Sequence, residues 1–202
     1  MKKIDNLIIV PARKGSKGVK HKNFKQFKKK PLYQISLDHA NLLKKKFKSS
    51  IIVFSTDLNF KKKFKFSITY IKRPKNISGD KSKSKEYVIH AINYFLKKKI
   101  IFKNIIILQP ACPLRRKKDL ISSMELYLKN KSDSLISVYE DHYINSSVIY
   151  NKSGIFGLPF SKNHNNGTGR MNKNIKYIRN GCIYIVRVSY FMKTKKIISS
   201  DR

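Results

Sequence analysis

Acidic residues are scarce in this 202-residue chain, which has 11 Asp and Glu against 46 Lys and Arg and a formal net charge of +35. Such an excess ordinarily indicates a polyanionic partner such as nucleic acid. Here the excess is mostly lysine spread through every segment, rather than arginine and aromatic residues gathered on one element. We interpret these lysines as solvated side chains, in a pattern typical of AT-rich coding sequence. We therefore expect no nucleic-acid partner, although an anionic small substrate would still be attracted.

Cysteine and long apolar runs are also scarce. Cys112 and Cys182 lack metal-ligand spacing, and two thiols cannot form a disulfide framework. They suit a reducing compartment. Pro11 ends the apolar run Leu7–Val10 after four residues, and no run approaches the roughly 20 apolar residues of a membrane span. We expect a cytoplasmic protein with no signal peptide and no membrane partner.

The remaining composition predicts a folded protein with a single domain, residues 1–202, because 41% of the residues are hydrophobic. Short β-branched runs alternate with longer segments of helical period, which is the pattern of βαβ units. We therefore predict an α/β fold with a mainly parallel sheet flanked by helices. Strands are predicted at Leu7–Val10, Ser50–Ser55, Ser67–Ile71, Asn104–Leu108, Ser134–Val138 and Gly181–Val186. Helices are predicted near Pro31–Lys46, Ser84–Lys99 and Lys117–Asn130.

A polar excursion interrupts this pattern at residues 141–178, where Asn, Gly, Ser and Lys dominate. Only Ser146–Tyr150 resembles a strand within it. Because long loops in compact domains are often functional, we expect this segment to leave the sheet and to have a role of its own.

A basic loop with two glycines, Pro11–Asn23, follows the first predicted strand. Ligands of parallel α/β sheets bind outside the carboxyl ends of the strands, where this loop begins. Its glycines would let backbone N–H groups approach a phosphate, and its lysines and arginine would supply cations. The spacing matches neither the P-loop nor the dinucleotide fingerprint. On chemistry alone, a phosphate cradle and an ordinary solvated turn both stay open.

The run IVPARKGSKGVKHKN closely resembles the nucleotide-binding loop of the acylneuraminate cytidylyltransferase family. Four further blocks fall in that family's order, namely Phe54–Asp57, Arg73–Pro74 with Gly79–Asp80, Leu108–Arg115 and Tyr177–Tyr184. The resemblance implies a single Rossmann-like nucleotidyltransferase domain. It also implies that CTP activates a nonulosonic, sialic-acid-like sugar acid, giving a CMP-sugar and pyrophosphate.

The resemblance further implies roles for individual residues and a homodimer formed through the segment corresponding to Asp141–Arg170. The nucleotide-binding residues would be Arg13, Ser16, Lys17, Asn23, Arg73, Ser82 and Ser84. The sugar-binding residues would be Gln109, Arg170 and Asn180. The catalytic residues would be Arg13, Lys22 and Arg170, whose charge would stabilise the transition state.

Several of these residues have a plainer structural alternative. Ser82 and Ser84 could cap the helix that follows them. Asn180 could be a turn residue and Arg170 a solvated loop residue. Asp57 could help to position a cation, but a cap at the start of the next helix is the interpretation that we favour.

Magnesium is the cofactor that the resemblance implies, bound by a D-x-D motif about two dozen residues after the Tyr177–Tyr184 block. The chain ends at Ser200-Asp201-Arg202, so this motif is not found and the metal ligands stay unknown. We expect either a truncated protein, which we favour and attribute to a broken reading frame, or use of another acid, or loss of activity. The rival hypothesis is therefore a catalytically impaired remnant that binds nucleotide or other polyanions without turnover.

Overall fold

The computed structural model describes residues 1–16, 18–60, 64–141, 149–162, 164 and 176–200. Its strands are β1 (Lys2–Pro11), β2 (Gln26–Phe27), β3 (Lys30–Pro31), β4 (Ser50–Thr56), β5 (Thr69–Lys72), β6 (Ile100–Ile107), β7 (Ser134–Asp141), β8 (Tyr150–Ser153), β9 (Phe156–Pro159) and β10 (Lys176–Arg187). Its α-helices are α1 (Leu32–Lys46), α2 (Ser84–Leu96), α3 (Lys117–Asn130) and α4 (Val188–Thr194).

A six-stranded sheet in the order β5-β4-β1-β6-β10-β7 forms the centre of the fold. Strand β1 pairs in parallel with β4 on one side and with β6 on the other, whereas β10 runs antiparallel to β6. The sheet is therefore mainly parallel, as predicted. Because the chain moves outward from β1 first to β4 and later to β6, the strand order reverses beside β1. Such a reversal places a crevice at the carboxyl end of β1, where α/β sheets bind ligands.

The core has two layers, one on each face of the sheet. Successive residues of a strand point to opposite faces, so Ile8 and Val10 of β1 pack with α1 and α3, whereas Leu7 and Ile9 pack with α2 and α4. Burial on both faces explains why this strand is a continuous apolar run rather than an alternating one. The two helical layers hold β1 rigidly beneath the loop that follows it.

The predicted strands and helices are confirmed, with shifted ends and some omissions. Strand β6 begins at Ile100 rather than Asn104, because its first residue pairs with Lys2 of β1. Helix α2 ends at Leu96 rather than Lys99, since Lys99 adopts a left-handed φ of 57°. Helix α4 was missed because it is short and follows β10 directly.

The chain divides into two compact units, Met1–Ser137 with Gly181–Arg202 and Val138–Asn180. The second unit encloses the polar excursion and contains a β8–β9 hairpin that was not predicted. Two residues, Gly154 and Ile155, form the loop between β8 and β9. Gly154, the first of them, has a φ of 60°, which suits the first loop position of a type II′ turn. The assignment of residues 1–202 to a single domain stays a prediction. In the part of the chain that the structure describes, no helix is long and apolar enough to cross a membrane.

Candidate nucleotide site

A cavity of about 250 Å³ lies at the carboxyl end of β1, within the first unit. It brings together eight of the predicted site residues, which are Arg13, Ser16, Lys22, Asn23, Arg73, Ser82, Ser84 and Gln109. The other described lining residues are Pro11, Gly18, Tyr87, Pro110 and Ala111. Lys17 and Arg170 lie outside the described residues. Asn180 is an exposed residue of β10 and belongs to the second unit.

The basic loop after β1 is held in shape by contacts on both sides of Lys14. The Asp57 carboxylate, at the end of β4, accepts the backbone N–H of Lys14 at 2.7 Å. The side-chain amide of Asn23 donates to the carbonyl of Arg13 at 2.9 Å, and His21 Nδ1 lies 3.2 Å from the carbonyl of Lys14. These bonds fix the backbone of the loop before any ligand is bound.

Asp57 does not cap a helix, so the favoured sequence interpretation was wrong. No helix is present in the described residues that follow it, 58–60 and 64–68. Because β1 and β4 are adjacent and parallel, their carboxyl ends meet, and the carboxylate reaches the loop of the neighbouring strand. The position of Asp57 directly after a strand was the available signal, but the sequence did not reveal which strand is its neighbour.

The two glycines of the loop leave its backbone open. A Cβ built at Gly15 or Gly18 would meet no described atom within 4 Å, and Gly15 does not adopt a positive φ. The described part of the fold therefore offers space for a side chain at both positions. Close approach of a ligand to the backbone remains as the physical reason for both residues.

The Arg13 side chain is engaged by an acid, Asp80. Its Nη1 lies 2.8 Å from Oδ1 of Asp80, and the two side chains are 29% and 39% exposed. A surface ion pair of this kind contributes at most about 1 kcal/mol, and a polyanion can displace the carboxylate. Asp80 was noted in the sequence only as part of a family block, so its pairing with Arg13 is a finding of the structure.

Arg73 forms the floor of the cavity and is only 5% exposed. Its Nε and Nη2 donate to the hydroxyl and the carbonyl of Ser55 at 2.9 and 3.0 Å, and its guanidinium lies 4.6 Å from the ring centroid of Tyr87. Burial lowers the pKa of Arg73 to about 10, partly offset by Tyr87 and Asp57. The side chain is therefore still a cation at neutral pH, and it adds positive potential beneath the cavity.

Ser82 and Ser84 face the cavity and do not cap the helix, so that alternative was wrong. The N-cap residue of α2 is Lys83. Its backbone N–H donates to Oε2 of Glu86, with 3.2 Å between the nitrogen and the oxygen. Burial raises the pKa of the Tyr87 hydroxyl, and the neighbouring Ser84 hydroxyl acts in the opposite direction. Both serines thus belong to the wall of the cavity.

Gln109 lies two residues beyond the end of β6, against the backbone of β10. A Cβ built at Gly181 would lie 3.5 Å from Oε1 of Gln109 and 3.7 Å from the hydroxyl of Tyr184. Gly181 has a φ of 75°, a conformation that other residues adopt only with strain. This glycine therefore shapes one side of the space that the Gln109 amide occupies.

Carboxylates are absent from the described lining of the cavity, which has three cations, Arg13, Lys22 and Arg73. The acids beside it, Asp57 and Asp80, bind the Lys14 N–H and the Arg13 side chain instead. In the described ranges, no group of three or more His, Cys, Asp or Glu side chains could hold a metal ion. The cavity is therefore suited to a polyanion.

Comparison with known families gives one matching profile, described as Cytidylyltransferase, over residues 7–188. An N-acylneuraminate cytidylyltransferase of Escherichia coli is 25% identical over 194 residues, covering 94% of this chain and 44% of the relative. A pseudaminic acid cytidylyltransferase of Campylobacter jejuni is 30% identical over 141 residues, covering 68% of this chain and 60% of the relative. The chain thus spans about half the length of the curated relatives that it matches.

Among solved structures, the fold is similar to that of a CMP:2-keto-3-deoxy-manno-octonic acid synthetase complexed with CTP. The TM-score is 0.59 at 15% identity, and the match covers 97% of this chain and 79% of the other. At this level of identity the likeness concerns the fold alone.

Proposed function

The chain belongs to the cytidylyltransferase family, and we propose that it transfers CMP from CTP to a nonulosonic, sialic-acid-like sugar acid with release of pyrophosphate. The observation that carries this proposal is the cavity at the carboxyl end of β1, where three cations and no carboxylate line the described wall. The two sequence relatives, an N-acylneuraminate cytidylyltransferase and a pseudaminic acid cytidylyltransferase, support the sugar class.

In the proposed reaction, the anomeric hydroxyl oxygen of the sugar acid attacks the α-phosphorus of CTP. The new oxygen–phosphorus bond forms as the bond from the α-phosphorus to the bridging oxygen breaks, and pyrophosphate leaves with that oxygen. Little covalent chemistry is required of the protein, so catalysis consists mainly of positioning and electrostatic stabilisation. No described lining residue is an imidazole or a carboxylate, and we assign the hydroxyl proton to a phosphate oxygen.

The basic loop would bind the phosphates. Its backbone N–H groups and the Ser16 hydroxyl would contact phosphate oxygens, while Arg13 and Lys22 would offset the charge that develops on the departing pyrophosphate. Arg13 must exchange Asp80 for phosphate when CTP enters. Arg73 would hold the nucleotide through its positive potential, because two of its donors are committed to Ser55. Lys17 and Arg170 keep the roles proposed from the sequence.

Magnesium is the ion that the family implies, and the described residues do not fit it. Mg²⁺ prefers one or two carboxylates together with phosphate oxygens and water, but no carboxylate belongs to the described lining of the cavity, and Asp57 is engaged by the Lys14 N–H. Asp201 lies outside the described residues.

Pyrophosphate release with CTP and a panel of sialic, legionaminic and pseudaminic acids tests the proposal, with and without Mg²⁺. We expect turnover with at least one of these acids. A folded protein that binds CTP but turns over none of them would contradict the proposal and support the rival, a remnant that binds nucleotide without catalysis.

The role of Arg13 has a matched control in the same chain. Arg13→Ala is expected to abolish turnover or raise the KM for CTP strongly, with unfolding unchanged. Arg116, 79% exposed, forms a similar arginine–aspartate pair with Asp119, and Arg116→Ala should leave CTP kinetics unchanged. Equal effects of the two substitutions would refute the role assigned to Arg13.

We also propose a homodimer formed through the second unit. The β8–β9 hairpin exposes several large apolar side chains, including Ile155 at 93%, Phe156 at 69% and Leu158 at 53%. Contiguous exposed apolar surface marks interaction sites in soluble proteins. Sedimentation should report a dimer that Ile155→Asp weakens, and a monomeric wild-type protein at micromolar concentration would contradict the proposal.

Finally, we propose that the protein acts in the cytoplasm. Cysteine is scarce in the chain, which has two, Cys112 and Cys182, and such scarcity is typical of proteins from a reducing compartment. Fractionation of cells that express a tagged chain would test this location. Recovery from an extracytoplasmic fraction would contradict it.

A further inference from the structure

A buried arginine outside the nucleotide loop ties the Gln109 segment to two other elements. Arg115 is 8% exposed. Its Nε donates to the carbonyl of Cys182 in β10 at 2.7 Å, its Nη1 donates to the hydroxyl of Ser36 in α1 at 3.1 Å, and its Nη2 donates to the carbonyl of Gln109. All three acceptors are neutral oxygens. The cation is thus held by dipoles drawn from three separate parts of the first unit.

These contacts close into a ring around the backbone of Gln109. The Ser36 hydroxyl accepts a hydrogen bond from Arg115 and donates one to the Gln109 carbonyl at 3.4 Å. The backbone N–H of Cys112 donates to the same carbonyl at 3.2 Å. A buried acceptor that loses its donors is costly. Removing the guanidinium fork would therefore loosen the Gln109 backbone, because its carbonyl would lose the charged donor and keep the Ser36 hydroxyl and the Cys112 N–H.

The side chain of Gln109 depends on the same brace. Its Oε1 lies beside Gly181, the residue before Cys182, and Cys182 is the residue of β10 that Arg115 binds. Arg115 therefore fixes the distance between the end of β6 and the part of β10 against which the amide rests. A shift of about 1 Å in a binding group is enough to reduce its contribution greatly.

We propose that Arg115 is a positioning residue, which holds the Gln109 segment against β10 and thereby sets the affinity for the sugar acid without contacting it. This inference rests on the proposed function and on the role that the sequence resemblance implies for Gln109, which is to bind the sugar acid. CTP binding should be independent of Arg115, because the loop that binds the phosphates is held by Asp57 and Asn23.

Steady-state kinetics of conservative variants test the inference. Arg115→Lys keeps the charge but lacks the fork that reaches three acceptors, and we expect the KM for the sugar acid to rise at least tenfold while the KM for CTP stays within twofold. Ser36→Ala removes one arm only and should give a smaller change of the same kind. Arg116→Lys, at the exposed neighbouring arginine, is the control and should change neither KM.

A double-mutant cycle separates positioning from a general structural role. If Arg115 acts through Gln109, Arg115→Lys should have little further effect on the KM for the sugar acid once Gln109→Ala is present. Additive effects of the two substitutions would overturn the inference. An equal rise in the KM for CTP would also overturn it, because it would mean that the whole cavity had loosened.

Failure of the proposed function can be distinguished from failure of this inference. A wild-type chain that turns over no sugar acid contradicts the proposed function, and hydrogen exchange then decides the role of Arg115. Arg115→Lys should speed exchange at the amide of Cys112, which donates to the Gln109 carbonyl, whereas Arg116→Lys should not. Unchanged exchange at that amide in Arg115→Lys would overturn the inference.

Discussion

Removal of the Asp57 carboxylate is the sharpest test of how the phosphate loop is held. The bond from the Lys14 N–H to Oδ1 of Asp57 is 2.7 Å long and involves a charged acceptor. Hydrogen bonds to charged groups contribute about 1.5–3 kcal/mol. If Asp57→Ala releases the loop, CTP must supply that free energy on binding, and its dissociation constant should rise by about tenfold to 150-fold.

Asp57→Asn provides the matched control, since an amide oxygen can still accept the N–H of Lys14. A bond between neutral groups contributes about 0.5–1.5 kcal/mol, so this variant should lose only about 1–1.5 kcal/mol, and its dissociation constant for CTP should rise by about fivefold to 13-fold. Calorimetric titration with CTP measures both variants. Equal and unchanged affinities for CTP would refute the idea that Asp57 holds the loop in its binding shape.

The same titration distinguishes a loop anchor from a metal ligand, the other role considered for Asp57. An anchor acts on the loop itself, so Asp57→Ala should weaken CTP binding to the same extent in Mg²⁺ and in EDTA. A metal ligand acts through the ion, and its loss would weaken binding in Mg²⁺ alone. A defect confined to Mg²⁺ would therefore contradict the structure-based role.

Two further predictions concern stability. Burial lowers the pKa of His39 from 6.5 to about 4, with Arg115 acting in the same direction, so the folded state favours the neutral ring. The stability that this neutral ring contributes is complete above pH 6.5 and is lost as the pH falls toward 4, by at most about 3 kcal/mol. Chemical unfolding at pH 7 and at pH 5 should therefore show a smaller fall in the free energy of unfolding for His39→Gln than for the wild-type protein. An identical fall would contradict this reasoning. Gly181→Ala should lower the free energy of unfolding by about 1–2 kcal/mol, because the residue has a positive φ, and the Tm should fall accordingly. Gly15→Ala is the control and should leave the Tm unchanged. An equal fall in Tm for the two variants would contradict the reasoning.

Periodicity predicted the sheet better than it predicted the second unit. The apolar strands β1, β4 and β6 are buried on both faces, so their residues form continuous runs that are easily recognised. The residues of β8 and β9 are all exposed, and no alternation marks them as strands. Their hairpin depends on a turn at Gly154 instead, which is a local signal that apolar patterning does not detect.

The gathering of site residues could be predicted because the topology of a parallel sheet brings strand ends together. Arg13 follows β1, Arg73 follows β5 and Gln109 follows β6, and all three line one cavity. Their partners could not be predicted in the same way. The pairing of Arg13 with Asp80 joins residues 67 positions apart, and it depends on the path of two loops rather than on any local pattern.

Ligand-binding residues and residues that hold the site together are chemically alike, which is why the sequence alone does not separate them. Burial does separate them, because a buried polar group must already have partners within the protein. Asn23 is 9% exposed and donates to the Arg13 carbonyl, while Arg73 is 5% exposed and donates twice to Ser55. The Arg13 side chain, at 29% exposure, pairs with the surface carboxylate of Asp80, which a ligand can displace. Substitution of Arg13 should therefore change ligand binding alone, whereas substitution of Arg73 or Asn23 should change both binding and the free energy of unfolding.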